Sequence, residues 1–174
     1  LVDGVDLREA DIHDLRDRFG YVPKKASLFI GSIESNLRYA NEYATDEQLK
    51  EAAKIAQALD FIEAKPDGFA SEIAQGGTNV SGGQRQRLSI ARALVKQPEI
   101  FIFDDTFSAL DFKTDAQLRK ELNQLCEKKQ STVLLVAQRI SSIMHADQII
   151  VIDNGRIVGR GKHQELLENC DVYK

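Results

Sequence analysis

Cysteine is scarce in this chain of 174 residues. Cys126 and Cys170 are the only two, and no metal-type spacing joins them. That argues against a disulfide framework and against a thiolate metal site, and it makes the reducing cytoplasm the expected compartment. Long apolar runs are missing too. No uncharged stretch approaches the roughly 18 to 20 residues that a membrane helix needs, and no charged-then-apolar leader opens the sequence. Any membrane part is therefore expected outside it. Charge of one sign is not in excess either: 23 basic against 27 acidic residues give a net charge of −4. Such a balance is no footprint for a nucleic-acid backbone or an anionic membrane surface, so no nucleic-acid partner is expected. There is no internal repeat and no low-complexity tract. What is present, 43% hydrophobic and 29% charged residues, suffices to bury one core of ordinary globular texture.

The pattern along the chain predicts an α/β fold. Ile100-Phe101-Ile102-Phe103 and Thr132-Val133-Leu134-Leu135-Val136 are continuous apolar runs, as expected of parallel strands covered on both faces. Between them, Leu118, Leu122 and Leu125 recur at helical spacing within residues 115–129, making a strand-helix-strand unit. Asp11 is placed to cap a short helix whose Ile12, Leu15 and Phe19 share a face, leading into a Gly20-Tyr21-Val22 strand. Asp153-Asn154-Gly155 predicts a hairpin, read as an antiparallel edge to the sheet. Residues 1–31 and 98–174 thus read as a sheet core, and residues 32–97 as a helical insertion.

Chemistry is expected where the second core strand ends. Ligands gather beyond the carboxyl ends of parallel strands, where Asp104 and Asp105 stand, although turn-favouring aspartates also follow strands for no such reason. The second feature is Ser81-Gly82-Gly83-Gln84, opening a helix with Leu88, Ala91, Leu94 and Val95 on one stripe. Free amides at a positive helix end suit a phosphate, and a plain N-cap before a flexible turn is the alternative.

Taken in order, Ser81-Gly82-Gly83-Gln84-Arg85-Gln86-Arg87, Ile90-Ala91-Arg92-Ala93-Leu94, the strand into Asp104, and Ser108-Ala109-Leu110-Asp111 resemble the ATPase domain of ABC transporters. Leu28-Phe29-Ile30-Gly31-Ser32-Ile33 with Asn36-Leu37, and Ser71-Glu72-Ile73, resemble the exporter branch. The resemblance implies a RecA-like P-loop core with a helical subdomain, and a head-to-tail pair of such domains with ATP and Mg²⁺ sandwiched between them. It implies that Ser81, Gly82, Gly83 and Gln84 act on a partner's nucleotide, and that Asp104 is the Mg²⁺ acid. Ser108 to Asp111 would link the two sites, a role compatible with Asp111 being a helix N-cap. A long coiled coil, as in the DNA-repair relatives of this architecture, finds no heptads to support it between Lys24 and Ser81.

Three positions depart from the family pattern. Asp105 stands where a glutamate polarises the attacking water, and it is shorter by one methylene, roughly 1.5 Å. Gln138 replaces the switch histidine; it still donates a hydrogen bond but carries no charge near neutral pH. Together these two resemble the weak site of heterodimeric bacterial multidrug exporters, in which one site turns over and the other mainly binds. Lys24 replaces a glutamine that helps to coordinate Mg²⁺; it reads either as a further loss in a weak site or as a surface lysine. No Gly-x-x-x-x-Gly-Lys-Ser/Thr occurs, so the chain is expected to be a fragment lacking the phosphate loop, binding ATP poorly alone. By resemblance, the parent protein carries a transmembrane domain on the same chain and pairs with a second ATPase subunit. The rival reading is a non-hydrolysing module that binds nucleotide and completes a partner's site.

Overall fold

The computed structural model describes residues 1–174, which form two compact units, Leu1–Val136 and Ala137–Lys174. The first contains, in chain order, α1 (Ile12–Asp17), β1 (Phe19–Val22), β2 (Gly31–Ser32), α2 (Ile33–Arg38), α3 (Asp46–Ile55), α4 (Leu59–Glu63), β3 (Glu72–Ile73), α5 (Gly82–Val95), β4 (Ile100–Asp104), α6 (Phe112–Lys129) and β5 (Thr132–Val136). β1, β4 and β5 make a parallel sheet with β4 in the centre. As the strand paired on both edges, β4 buries alternate residues. Phe101 and Phe103 are inaccessible, with stacked rings 5.8 Å apart. β1 runs close to the segment that enters β4. A Cβ on Gly20 would lie 2.6 Å from Pro98 Cγ, so only glycine fits there.

α5 carries the helical part of this unit. Its Leu88, Ala91, Leu94 and Val95 are buried, and the helix packs on α2 and α3. α2 is fixed at its start by Ser32, whose hydroxyl accepts from the Ser35 N–H, and by the buried Asn36. The Asn36 amide accepts from the Phe29 N–H at 2.8 Å and donates to the carbonyls of Phe29 and Ser32. β2 and β3 pair antiparallel, Gly31 with Ile73 and Ser32 with Glu72, so segments 28–33 and 71–73 are neighbours. α6 begins at the Asp111 cap and buries Leu118, Leu122 and Cys126, with Leu125 half-buried.

Three sequence expectations need correction. β5 is not covered on both faces: Val133, Leu134 and Val136 are exposed, Leu134 by 55%, because β5 packs chiefly on β4 and no helix lies closely over these side chains. α1 buries no residue, and Phe19 belongs to β1 instead of sharing its face. The hairpin of β6 (Ile149–Asp153) and β7 (Arg156–Gly161) forms a two-stranded sheet of its own, not an edge of the parallel one. Its turn is as tight as the tripeptide promised, with Asn154 and Gly155 both at positive φ. In this second unit α7 (His163–Asn169) packs on β7, and a small core gathers Ile149, Leu166, Cys170 and Tyr173. Both cysteines are buried and free.

Candidate functional site

The carboxyl end of β4 delivers two acids to different surroundings. Asp104 is the last residue of the strand and half-buried, with the Tyr21 hydroxyl donating to its Oδ2 at 3.4 Å. Asp105 leaves the strand in the left-handed region, φ 45° and ψ 33°, which aspartate enters more readily than most residues. Its N–H donates to the Val136 carbonyl at 2.9 Å, and its carbonyl accepts from the Ser108 hydroxyl at 2.8 Å. The next residue, the inaccessible Thr106, donates its hydroxyl to the Val22 carbonyl at 2.9 Å. The backbone that carries Asp105 is therefore tied on three sides.

The Asp105 side chain is 8% exposed, and Lys24 Nζ lies 2.9 Å from its Oδ2. This is an ion pair without well-aligned hydrogen-bond geometry at that oxygen. The sheet register explains why the two residues meet. Val22, the last residue of β1, is paired with Phe103 on β4, and the turns that leave the two adjacent strand ends bring Lys24 to Asp105. Between them, the buried Gln86 of α5 donates to the Pro23 carbonyl at 3.1 Å, holding the turn that presents Lys24. The sequence left Lys24 open between a place in the site and a place on the surface. Here its side chain is 57% exposed along its length while its ammonium reaches the buried acid.

The second cluster is the start of α5. Ser81 Oγ accepts from the Gln84 N–H at 3.1 Å, and Gln84 Oε1 accepts from the Ser81 N–H at 3.0 Å, a reciprocal capping box. With the Gln84 amide engaged in this way, those of Gly82 and Gly83 remain at the positive end of a helix of 14 residues. A Cβ on Gly82 would meet nothing within 4 Å, so the backbone there is open to close approach, whereas Gly83 lies against the Ala109 carbonyl. This last contact joins the helix start to the short 3-10 turn Thr106–Ala109, which carries the exposed Ser108. Asp111, also exposed, caps α6; the N–H and then the hydroxyl of Thr114 donate to its carboxylate and hold it below its ordinary value of 3.8.

Asp104, Asp105, Lys24, Ser81 to Gln84, Ser108 and Asp111 thus all belong to the first compact unit. Gln138 belongs to the second, exposed in a bend after β5. No group of three or more His, Cys, Asp or Glu side chains is gathered to hold a metal ion. Mg²⁺, however, is commonly held by one or two carboxylates with phosphate oxygens and water at its other positions. Asp104 fits as one such carboxylate; Asp105, occupied by an ammonium, does not. Tyr21, Gln86 and Thr106 support this site, and nothing in their local sequence signals it. Only the pairing of β1 with β4 and the packing of α5 bring them there.

A family model described as ABC transporter matches residues 1–108. An uncharacterized ABC transporter ATP-binding protein of Mycobacterium tuberculosis is 46% identical over 176 residues, covering 99% of this chain and 30% of that protein. An ATP-dependent lipid A-core flippase of Saccharophagus degradans is 41% identical over 172 residues, covering 99% of this chain and 29% of the flippase. Among solved structures, a bacterial Atm1-family ABC exporter with ATP bound superposes with a TM-score of 0.95 at 35% identity, over 99% of this chain and 30% of that one. The chain therefore spans about 30% of the length of the proteins it matches.

Proposed function

Because the chain belongs to the ABC transporter family, matching its ATP-binding proteins along nearly its whole length, we propose that it is the greater part of a nucleotide-binding domain in an exporter that couples ATP hydrolysis to transport. The proposal places it at the cytoplasmic face of a membrane, joined to a transmembrane domain and paired with a second ATPase subunit. No helix of the chain itself is long and apolar enough to cross a membrane.

The observation that carries this reading is the open start of α5. Ser81 and Gln84 lock each other, which leaves the Gly82 and Gly83 amides as first-turn donors outside the intrahelical ladder, with open space at Gly82 for a ligand to approach. Such donors stabilise charge on a transferring phosphoryl group because they need no reorganisation as it develops. In the proposed assembly they meet the terminal phosphate of a nucleotide held chiefly by the partner. Mg²⁺, held in part by Asp104, would neutralise charge on the phosphates. Ser108 and Asp111, attached to the same turn that Gly83 touches, would pass the state of one site to the other.

This chain's own site is proposed to be slow. Asp105 is one methylene short of the family's glutamate, and the bonds on its backbone prevent it from moving forward to close the gap. A misplacement of about 1 Å costs on the order of a hundredfold in rate. Gln138 offers a hydrogen bond but no proton charge. The ion pair on Asp105 also favours the stronger form of the proposal, a module that binds nucleotide and completes its partner's site without turning over its own.

The test is Gly82→Asp in the assembled transporter, with single-turnover hydrolysis followed at each site. The introduced carboxylate puts negative charge where the phosphate belongs, and hydrolysis at the partner's site is expected to fall on the order of a hundredfold or more. Unchanged turnover there would remove the functional reading; a loss is not explained by steric clash, since a Cβ at Gly82 meets nothing within 4 Å.

A further inference from the structure

We infer that Lys24 is a positioning residue that clamps Asp105, so that the slowness of this site is set by the Lys24–Asp105 pair and not by the shorter side chain alone. The inference rests on the proposed ATPase reading and deepens it.

A general base must offer a free lone pair to the proton it takes, within hydrogen-bond reach of the water. Oδ2 of Asp105 instead faces an ammonium at 2.9 Å, inside a pocket that leaves the carboxylate 8% exposed. Asp105 cannot readily turn away, and the backbone that presents Lys24 to it is fixed in place. Asp105 is held by its N–H to Val136, by Ser108 on its carbonyl and by the Thr106 tie to Val22. Lys24 follows Pro23, whose carbonyl is held by Gln86. The adjacent ends of β1 and β4 then bring the two side chains together. Because Lys24 is 57% exposed the pair is a part-exposed one, and the constraint falls chiefly on the nearly buried carboxylate of Asp105.

If the pair is one unit, changing either member alone leaves the defect in place. Asp105→Glu restores reach, but the ammonium can follow the longer carboxylate. Lys24→Gln frees the carboxylate, which is still too short. The double variant should therefore be strongly non-additive: about a hundredfold faster in single-turnover hydrolysis at this site than the protein with Asp105→Glu alone. All variants are made in the assembled transporter on a Gln138→His background, so that the third departure does not hide the effect. Lys24→Arg keeps a cation on the carboxylate and should leave the Asp105→Glu protein slow, a result that a merely structural role for Lys24 does not give.

A second readout needs no turnover. In the nucleotide-free protein, acylation of lysine amines followed by mass spectrometry reports Lys24 against its neighbour Lys25. Asp105→Asn should speed modification of Lys24 by about twofold relative to Lys25, the scale of a part-exposed ion pair. Equal Lys24 reactivity with and without Asp105→Asn overturns the pair. Asp105→Glu reaching the speed of the double variant, or no gain in the double variant, overturns its control of the rate. Failure of the ATPase reading itself is recognised separately, by partner-site turnover that ignores Gly82→Asp while the acylation difference persists.

Discussion

Thr106 links two strands through a single hydroxyl. It is inaccessible to solvent, and its hydroxyl donates to the carbonyl of Val22, the last residue of β1, while its own chain position follows directly on Asp105. Thr106→Val keeps the shape and removes the donor, so the Val22 carbonyl loses a partner that water cannot readily replace. The expected cost is about 1 to 3 kcal/mol, read by urea unfolding. A change well below that range would mean that the β1 end does not depend on this tie. Asp105 is the other residue whose surroundings decide its chemistry. Its neighbour Asp104 has the same side chain but keeps the strand conformation and is half-buried, with a tyrosine hydroxyl in place of an ammonium. Two adjacent aspartates are thus given different work by what faces them.

Elements here are fixed at their ends by side chains that imitate backbone. Asn36 in α2 accepts from one peptide N–H and donates to two carbonyls of the segment before it, closing the approach to the helix as a strand partner would. Asn36→Ala leaves these groups without partners in a buried place, and a loss of about 2 to 3 kcal/mol in urea unfolding is expected. Because the same segment pairs β2 with β3, disorder should spread to residues 71–73. Loss of amide protection at Ile73 in the variant would report it, and an undisturbed Ile73 would show that the two strands hold without Asn36. The capping boxes of α3 and α5 work differently: they lie exposed and order only their own first turns.

At the scale of the molecule, the two compact units have unequal cores. The first buries a continuous set running from Val22 to Cys126, whereas the second, Ala137–Lys174, relies on Ile149, Leu166, Cys170 and Tyr173 with three half-buried neighbours. A small unit buries a smaller share of its surface and opens more easily. Native-state hydrogen exchange should therefore be faster at Leu166 and Cys170 than at Phe101 and Phe103. Equal protection would mean that both units unfold as one cooperative body. Gln138 belongs to the unit with the smaller core and Asp105 to the other, so the same experiment is expected to place the two substituted positions on parts of different local stability.

The sequence by itself determined whatever is decided within a few residues along the chain. The apolar runs placed β4 and β5, the Leu118 and Leu122 spacing placed α6, Ser81 and Asp111 marked helix starts, and Asp153-Asn154-Gly155 marked a turn, because period and capping are local chemistry. Family membership was readable for the same reason, since its motifs are short and ordered. Local pattern failed where burial depends on what lies alongside: β5 looked like a strand covered on both faces but leaves Val133, Leu134 and Val136 exposed, and the hairpin forms a sheet alone. Only the tertiary structure decided that Lys24 would face Asp105, 81 positions away, and that Tyr21, Gln86 and Thr106 would frame them. Parallel strand register is a long-range property, fixed by the packing of whole elements, and no side chain near Lys24 in the sequence announces which residue it will meet.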